Sequence, residues 1–508
     1  MYLSIFLLNI KGDKLMKTPL LIIVMSFFLV FSADAQSRKQ TNILWIYVED
    51  MNDWMGAYGD NTVATPNIDL LAQQGVRFNN AIMPAPVCSS TRSAIITGSM
   101  PTTLGVHNHR SSRGKDSQIY LPKGYKTIPE LFNQQGYQTF NMGKEDYNFN
   151  YKHSEMFSFD PTTEQLKKYR ANPKVLVQKG AKFKLNQLDK SKPFFGQIQL
   201  EGGKDKAKAI NHVNPDSMVD KIPPYYPTHP TFLKAWARHY EQIAITDMRV
   251  GKILAELKEN DLLHNTAIFF FTDHGMVLPR HKQFVYEGGL RVPFVVSWPE
   301  GNDKLRVNGA VRKDIINGID IGTTSLAIAG IAIPKYMEGD NLFAKDYQEK
   351  SFTIAARDRL DYTFDRIRAV RSKQFKYIKN FFPKRAYMQA QYRDLHPNKF
   401  PFMTAYKDLY KAGKLTSSQS AFMAPTRPPE ELYDLVNDPH EINNLANDKN
   451  YIKQLEYHRE ILEKWIISTG DKGQYVESDD GVSDVIKRWG KHCISIECEN
   501  FRKRDDDS

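Results

Sequence analysis

Two runs along the chain have almost no polar positions. NILWIYV, Asn42 to Val48, is rich in β-branched and aromatic side chains and reads as a strand buried on both faces. TAIFFFTDHG, Thr266 to Gly275, repeats the pattern. PFFGQIQL, Pro193 to Leu200, reads as a further strand, and YQTFNMG, Tyr137 to Gly143, as extended chain. Helices are predicted over Thr65 to Phe78, where Pro66 and Asp69 stand near the start and Gly75 marks the end, over Thr127 to Gly136, and over Trp236 to Asn260. Strands alternating with helices in this way predict an α/β fold, a doubly wound, mostly parallel sheet flanked by helices.

From about Ser351 the pattern changes. FTIAARDRL, IRAVRS and FKYIKN are shorter and richer in Arg and Tyr, and a closing helix is predicted over Tyr451 to Thr469. These elements predict a smaller C-terminal α+β lobe containing an antiparallel sheet. The expected organisation is a targeting region over 1–35, a catalytic domain over 36–350 and a C-terminal subdomain over 351–508. The RKRDDDS tail is expected to be unstructured.

The targeting region rests on MKTPLLIIVMSFFLVFSADAQS, beginning at Met16. Lys17 precedes a short apolar stretch, and Ala33, Asp34 and Ala35 form an A-x-A cleavage site with Gln36 as the mature start. Met16 is the expected start codon. Periplasmic or secreted protein is expected, with no permanent membrane span, and no Cys follows the apolar run to carry a lipid.

Composition adds a constraint on partners. The 508 residues include 69 Lys and Arg against 58 Asp and Glu, a net charge of +11. This balance favours anionic partners, nucleic acid or sulfated polymers among them. There are 3 cysteines. Cys493 and Cys498 are close enough in sequence to form a short-loop disulfide after export, which leaves Cys88 without a partner.

Chemistry gathers at the strand ends. The first buried strand runs into Glu49 and Asp50 and the late one into Asp273 and His274, where open α/β sheets place their ligands. Cys88 opens a predicted helix in APVCSSTRSAIITG, so it sits at the positive end of the helix dipole. Arg92 follows one turn later, within reach of the same anionic oxygens.

On these residues the chain resembles the formylglycine sulfatases of the alkaline phosphatase superfamily. Their C-x-[PA]-x-R signature matches Cys88 to Arg92 and continues through SAIITG, with Ser90 where Pro or Ala is usual. Further matches come in order: TPNID at Thr65 to Asp69, Gly143 with Lys144, FTDHG at Phe271 to Gly275, HKQFVYEGGLRVPF at His281 to Phe294, ELYDL at Glu431 to Leu435 and DPHEINNLA at Asp438 to Ala446.

The resemblance implies an alkaline phosphatase-like fold and a sulfuric ester hydrolase. It implies oxidation of Cys88 to formylglycine (3-oxoalanine) by a formylglycine-generating or radical maturation enzyme. It also implies one metal ion held by Glu49, Asp50, Asp273, His274 and the modified residue 88. That oxygen-rich set suits Ca2+ better than zinc. In the implied mechanism one hydroxyl of the hydrated aldehyde attacks sulfur, and the other later expels sulfate. The ion, Arg92, Lys144 and Lys282 would face the charged oxygens. For the general acid the residues leave alternatives open: Lys204 stands in EGGKDK where a His is often found, and His107 and His109 lie in GVHNHR.

The substrate expected is a sulfated carbohydrate, with His107, His109, Arg110 and Arg357 as candidate contacts from basic loops, and no nucleic-acid partner is expected. Two other readings share these residues: a phosphate or phosphonate ester hydrolase of the same superfamily, and an unmodified, inactive carbohydrate-binding protein.

Overall fold

The first buried run forms β1 (Asn42–Val48), whose seven residues are all buried, at the heart of the sheet seen in a computed structural model. The structure describes residues 40–159, 185–299, 301, 309–493 and 495–506. The targeting region lies outside these residues. Both sheets belong to a single compact unit that begins at Thr41. Among the described residues no helix is long and apolar enough to cross a membrane.

Helix α1 (Pro66–Gln73) is shorter than the sequence pattern suggests. Gly75 opens β2 (Gly75–Ile82), so the stretch expected as the helix's last turn is strand. A side chain at Gly75 would collide with the Val296 carbonyl, so glycine permits this close pairing. Helix α2 (Cys88–Thr97) is buried along its whole length and ends at Gly98 in the left-handed conformation, φ 64°. Then follow α3 (Ile128–Gln134), β3 (Gln138–Met142), β4 (Phe194–Leu200), α4 (Pro230–Glu259) and β5 (Thr266–Thr272). β6 (Arg291–Ser297), β7 (Ala310–Asn317) and α5 (Asp320–Ile328) complete the larger layer.

The sheet order is β3-β4-β1-β5-β6-β2-β7. The pairs from β3 to β5 are parallel, as is β2 with β7, while β6 runs antiparallel to both its neighbours. Alternate residues of β1 point to opposite faces. Leu44 and Ile46 pack with Trp236, Tyr240 and Ile243 of α4. Ile43, Trp45 and Tyr47 pack with Ile95, Phe132 and Ile321 on the other side. Covering both faces explains why these strands read as unbroken apolar runs.

The second sheet is antiparallel throughout: β8 (Phe352–Arg357), β9 (Ile367–Ser372), β10 (Phe375–Asn380) and β11 (Glu430–Asp434), in the order β11-β10-β9-β8. After α6 (Pro401–Lys411), helix α7 (Ile452–Thr469) lays Leu455 and Leu462 on Val370, Tyr377 and Leu432 of that sheet. Helices α8 (Asp479–Trp489) and α9 (Ile496–Asp506) follow, and Cys493 and Cys498 are joined by a disulfide. The expectation of an unstructured tail is corrected through Asp506: α9 continues across it, and Arg504 pairs with Asp479 at 3.0 Å.

Candidate active site

β1 and β5 run side by side in one direction, with Val48 opposite Thr272, so the residues beyond them leave the sheet together. The Asp50 N–H donates to Asp273 Oδ1 at 2.9 Å, and the Asp273 N–H donates to Val48 O at 3.0 Å. These bonds hold the two acidic segments against each other. Asp50 adopts a φ of 50°, a conformation that non-glycine residues tolerate only when their surroundings impose it.

Cys88 enters at the start of α2. Its Sγ lies 3.1 Å from His274 Nε2 and 3.8 Å from Asp50 Oδ1. His274 Nδ1 is 2.9 Å from the Gly275 carbonyl, which assigns the proton to Nδ1 and turns the Nε2 lone pair towards the cluster. Asp50, Cys88, Asp273 and His274 are all buried and each offers one ligand atom, and these atoms lie within 4.8 Å of one another. Two carboxylates and an imidazole converging on one point fit a divalent cation.

Four cationic side chains surround this cluster. Lys282 Nζ donates to Asp50 Oδ2 at 2.8 Å and to Cys88 Sγ at 3.4 Å. Lys204 Nζ donates to Cys88 Sγ at 3.5 Å, pairs with Asp50 Oδ1 at 3.0 Å and contacts Glu49 Oε2. Lys144 Nζ donates to Glu49 Oε2 at 3.2 Å. Arg92 donates to Asp273 Oδ2 at 3.3 Å and to Gln199 Oε1 at 2.7 Å, and its guanidinium lies 4.2 Å over the Tyr47 ring.

The electrostatics follow from these contacts. Burial works to raise the Cys88 thiol pKa, but the ammonium groups of Lys144, Lys204 and Lys282 outweigh it and hold it at about 6. Burial likewise opposes ionisation of Asp50, yet Lys204 and Lys282 keep its carboxyl well below the usual range. Lys204 could serve as an acid if burial or a neighbouring cation lowered its pKa, and its surroundings act the other way. Burial does work to lower it, but Asp50, Cys88 and Glu49 outweigh burial and hold the ammonium well above its ordinary value.

Of the metal candidates, Glu49 stands beside the four-residue cluster, its carboxylate taken up by Lys144, Lys204 and, at 4.0 Å, Arg92. His107 and His109 line a cavity next to the centre. His109 Nδ1 faces Asp361 Oδ1 at 3.1 Å, and burial pushes the imidazole pKa down to about 4. Arg110 is exposed at the same cavity, and its backbone N–H donates to Ser89 Oγ at 2.9 Å.

Arg357 is not brought there. Only 4% exposed at the end of β8, it pairs with Asp365 at 3.6 Å, packs over Phe284 and does not line this cavity. Gln199, which orients Arg92, escaped the sequence reading, although a buried polar residue near the end of an apolar strand was its signal.

A family model described as Sulfatase matches residues 41–331, and one described as N-sulphoglucosamine sulphohydrolase, C-terminal, matches residues 273–397. An ulvan-active sulfatase of Formosa agariphila is 30% identical over 87% of this chain and 77% of its own length. The N-sulphoglucosamine sulphohydrolase of Homo sapiens is 25% identical over 87% of this chain and 93% of its own. A solved structure of a protein in complex with its substrate D-glucosamine-2-N,6-O-disulfate superposes with a TM-score of 0.56 at 17% identity, covering 85% of this chain and 99% of that one.

Proposed function

Since the chain belongs to the sulfatase family and is a hydrolase of sulfate esters, we propose that it acts on a sulfated carbohydrate, in the periplasm or outside the cell, with Cys88 converted to formylglycine and one calcium ion held beside it. The supporting observation is the convergence of Cys88 with Asp50, Asp273 and His274 inside a ring of four cations. Carbohydrate specificity is supported by relatives named for sulfated glycans and their sugars.

Asp50, Asp273, His274 and the converted residue 88 would hold the ion, with Glu49 as a neighbouring charge. Replacing the thiol by oxygen makes this set harder and better suited to calcium. When in place, the hydrated aldehyde supplies an oxygen nucleophile and a route for releasing sulfate, and the ion supplies positive charge.

The chain's own residues do the rest. Lys204 and Lys282, both already against residue 88, bind the sulfate oxygens and turn sulfur towards that side chain. Arg92, fixed by Gln199 and Asp273, presents its guanidinium to charge that grows in the transition state. Buried walls exclude water and strengthen each of these interactions. Of the three expected proton donors, Lys204 is the one whose polar atom lies against Cys88, at 3.5 Å; held charged by its carboxylate neighbours, it is proposed to steady the leaving oxygen by a hydrogen bond from Nζ.

Mass spectrometry of the peptide containing residue 88, from a host with the maturation enzyme, tests the nucleophile, and metal analysis of the same sample tests the ion. The reading expects the aldehyde and one calcium per chain. An unaltered thiol favours the inactive binding protein, and faster turnover of an aryl phosphate than of an aryl sulfate favours the phosphate ester hydrolase.

A further inference from the structure

Beside the Cys88 centre lies a cavity of about 870 Å³, a size that suits small ligands. One side is the loop after α2 that carries His107, His109, Arg110 and Arg113. The other is the segment from Lys472 to Trp489, which includes α8 and lies beyond the residues matched by either family model.

Its lining is strongly cationic. Arg110, Arg113, Arg359, Lys472, Lys487 and Arg488 face three carboxylates, those of Asp361, Glu477 and Asp484. Those carboxylates are engaged. Arg359 donates to Glu477 at 2.9 Å, Gln283 donates to Asp361 at 2.8 Å, and Ser117 donates to Asp484. Arg113 is paired with Asp146 at 3.0 Å. Among the described residues neither Arg110 nor Arg488 is paired with a carboxylate, and both are exposed at the cavity. Guanidinium groups at a cavity wall that no carboxylate pairs directly are free to take an entering anion in their planar fork.

The cavity is joined to the reaction centre by consecutive charges. Asp146 links Arg113 to Lys144 at 3.2 Å, and Lys144 reaches Glu49 at 3.2 Å. Ser89, which anchors the Arg110 backbone, is the neighbour of Cys88. These links place the cavity close to residue 88.

We infer that the cavity is a second anion subsite that binds a carboxylate or a second sulfate on the sugar unit next to the scissile ester, with Arg488 of the C-terminal segment and Arg110 as its contacts. The inference rests on the reading of residue 88 as the centre that takes the sulfate ester. Guanidinium groups suit either anion, because both present paired oxygens to a planar fork.

Three probes separate the possibilities: a monosulfated disaccharide carrying a uronic-acid carboxylate, the same disaccharide with its carboxyl reduced to the alcohol, and a disulfated neutral disaccharide. Matured protein is expected to favour at least one doubly anionic probe over the reduced one by about tenfold in kcat/KM, and the favoured probe tells which anion is bound. Arg488→Ala is expected to raise KM for the favoured probe by about tenfold, with a smaller change in kcat, and Arg488→Lys to restore part of the loss.

No preference in the parent, or the same KM increase on all three probes, would overturn the subsite. Calorimetry on Cys88→Ala protein separates this from the functional reading. If the parent releases no sulfate, that reading fails, yet the subsite still stands if adding Arg488→Ala weakens doubly anionic probes about tenfold. Unchanged affinity there overturns it.

Discussion

Arg92 carries the largest number of separate constraints of any cation in the site. It is fixed by Gln199, paired with Asp273 and stacked over Tyr47, and it is 1% exposed. A group held this firmly needs little reorganisation as charge builds on the sulfate oxygens. Arg92→Ala is expected to lower kcat on a sulfated substrate by roughly a hundredfold or more, the scale of removing one fixed oxyanion donor. Activity equal to the parent would contradict its assignment. Arg92→Lys is expected to recover little, because an ammonium cannot reach Gln199 and Asp273 together.

Three histidines set a different residue-scale property. Burial pushes the pKa of His109 down to about 4 and those of His239 and His281 to about 3, from an ordinary 6.5. Below pH 6.5 the unfolded chain takes up protons at these positions that the folded chain does not. Stability therefore falls as pH drops, by about 1.4 kcal/mol per unit for each histidine, and the loss levels off below the folded values. Chemical denaturation between pH 7 and 4.5 is expected to show this fall, and substituting His109 by Gln is expected to reduce its slope.

At the scale of elements, α2 is the part on which the site turns. Its first residue is Cys88, its second turn carries Arg92, and Gly98 stops it in a left-handed turn. A side chain at Gly98 would be strained by that φ and would meet Met337 Sδ at 3.0 Å. Gly98→Ala is expected to cost about 1–3 kcal/mol and lower the thermal midpoint. An unchanged midpoint would show that the turn does not fix the helix end.

The elements were legible where one physical signal dominated. The unbroken runs of β1 and β5 gave away strands covered on both faces, and their acidic ends pointed to the cluster. Where two signals competed, the reading slipped. Helical spacing in Thr65 to Phe78 masked the start of β2, because a glycine that can end a helix can also open a closely paired strand. Arg357 is a candidate substrate contact because its sequence neighbours are basic, while its burial against Phe284, set by packing between distant segments, is invisible to spacing.

At the scale of the whole molecule, the site is assembled from residues near positions 50, 90, 144, 204 and 280, which the crossovers of a parallel sheet bring to one edge. Spacing alone could not show that Glu49 would be claimed by lysines while Asp50 reached Cys88. Nor could it show that a helix that begins 387 residues after Arg92 would line the neighbouring cavity. Cations ring residue 88, and six line the adjoining cavity against three carboxylates, so both regions suit an anionic polymer.

The most direct measurement is the release of free sulfate from a panel of sulfated glycans by matured protein, beside the Cys88→Ala variant under the same conditions. The account predicts release by the parent on at least one glycan and none above background by the variant. Equal release by the two proteins would contradict a reaction centred on residue 88.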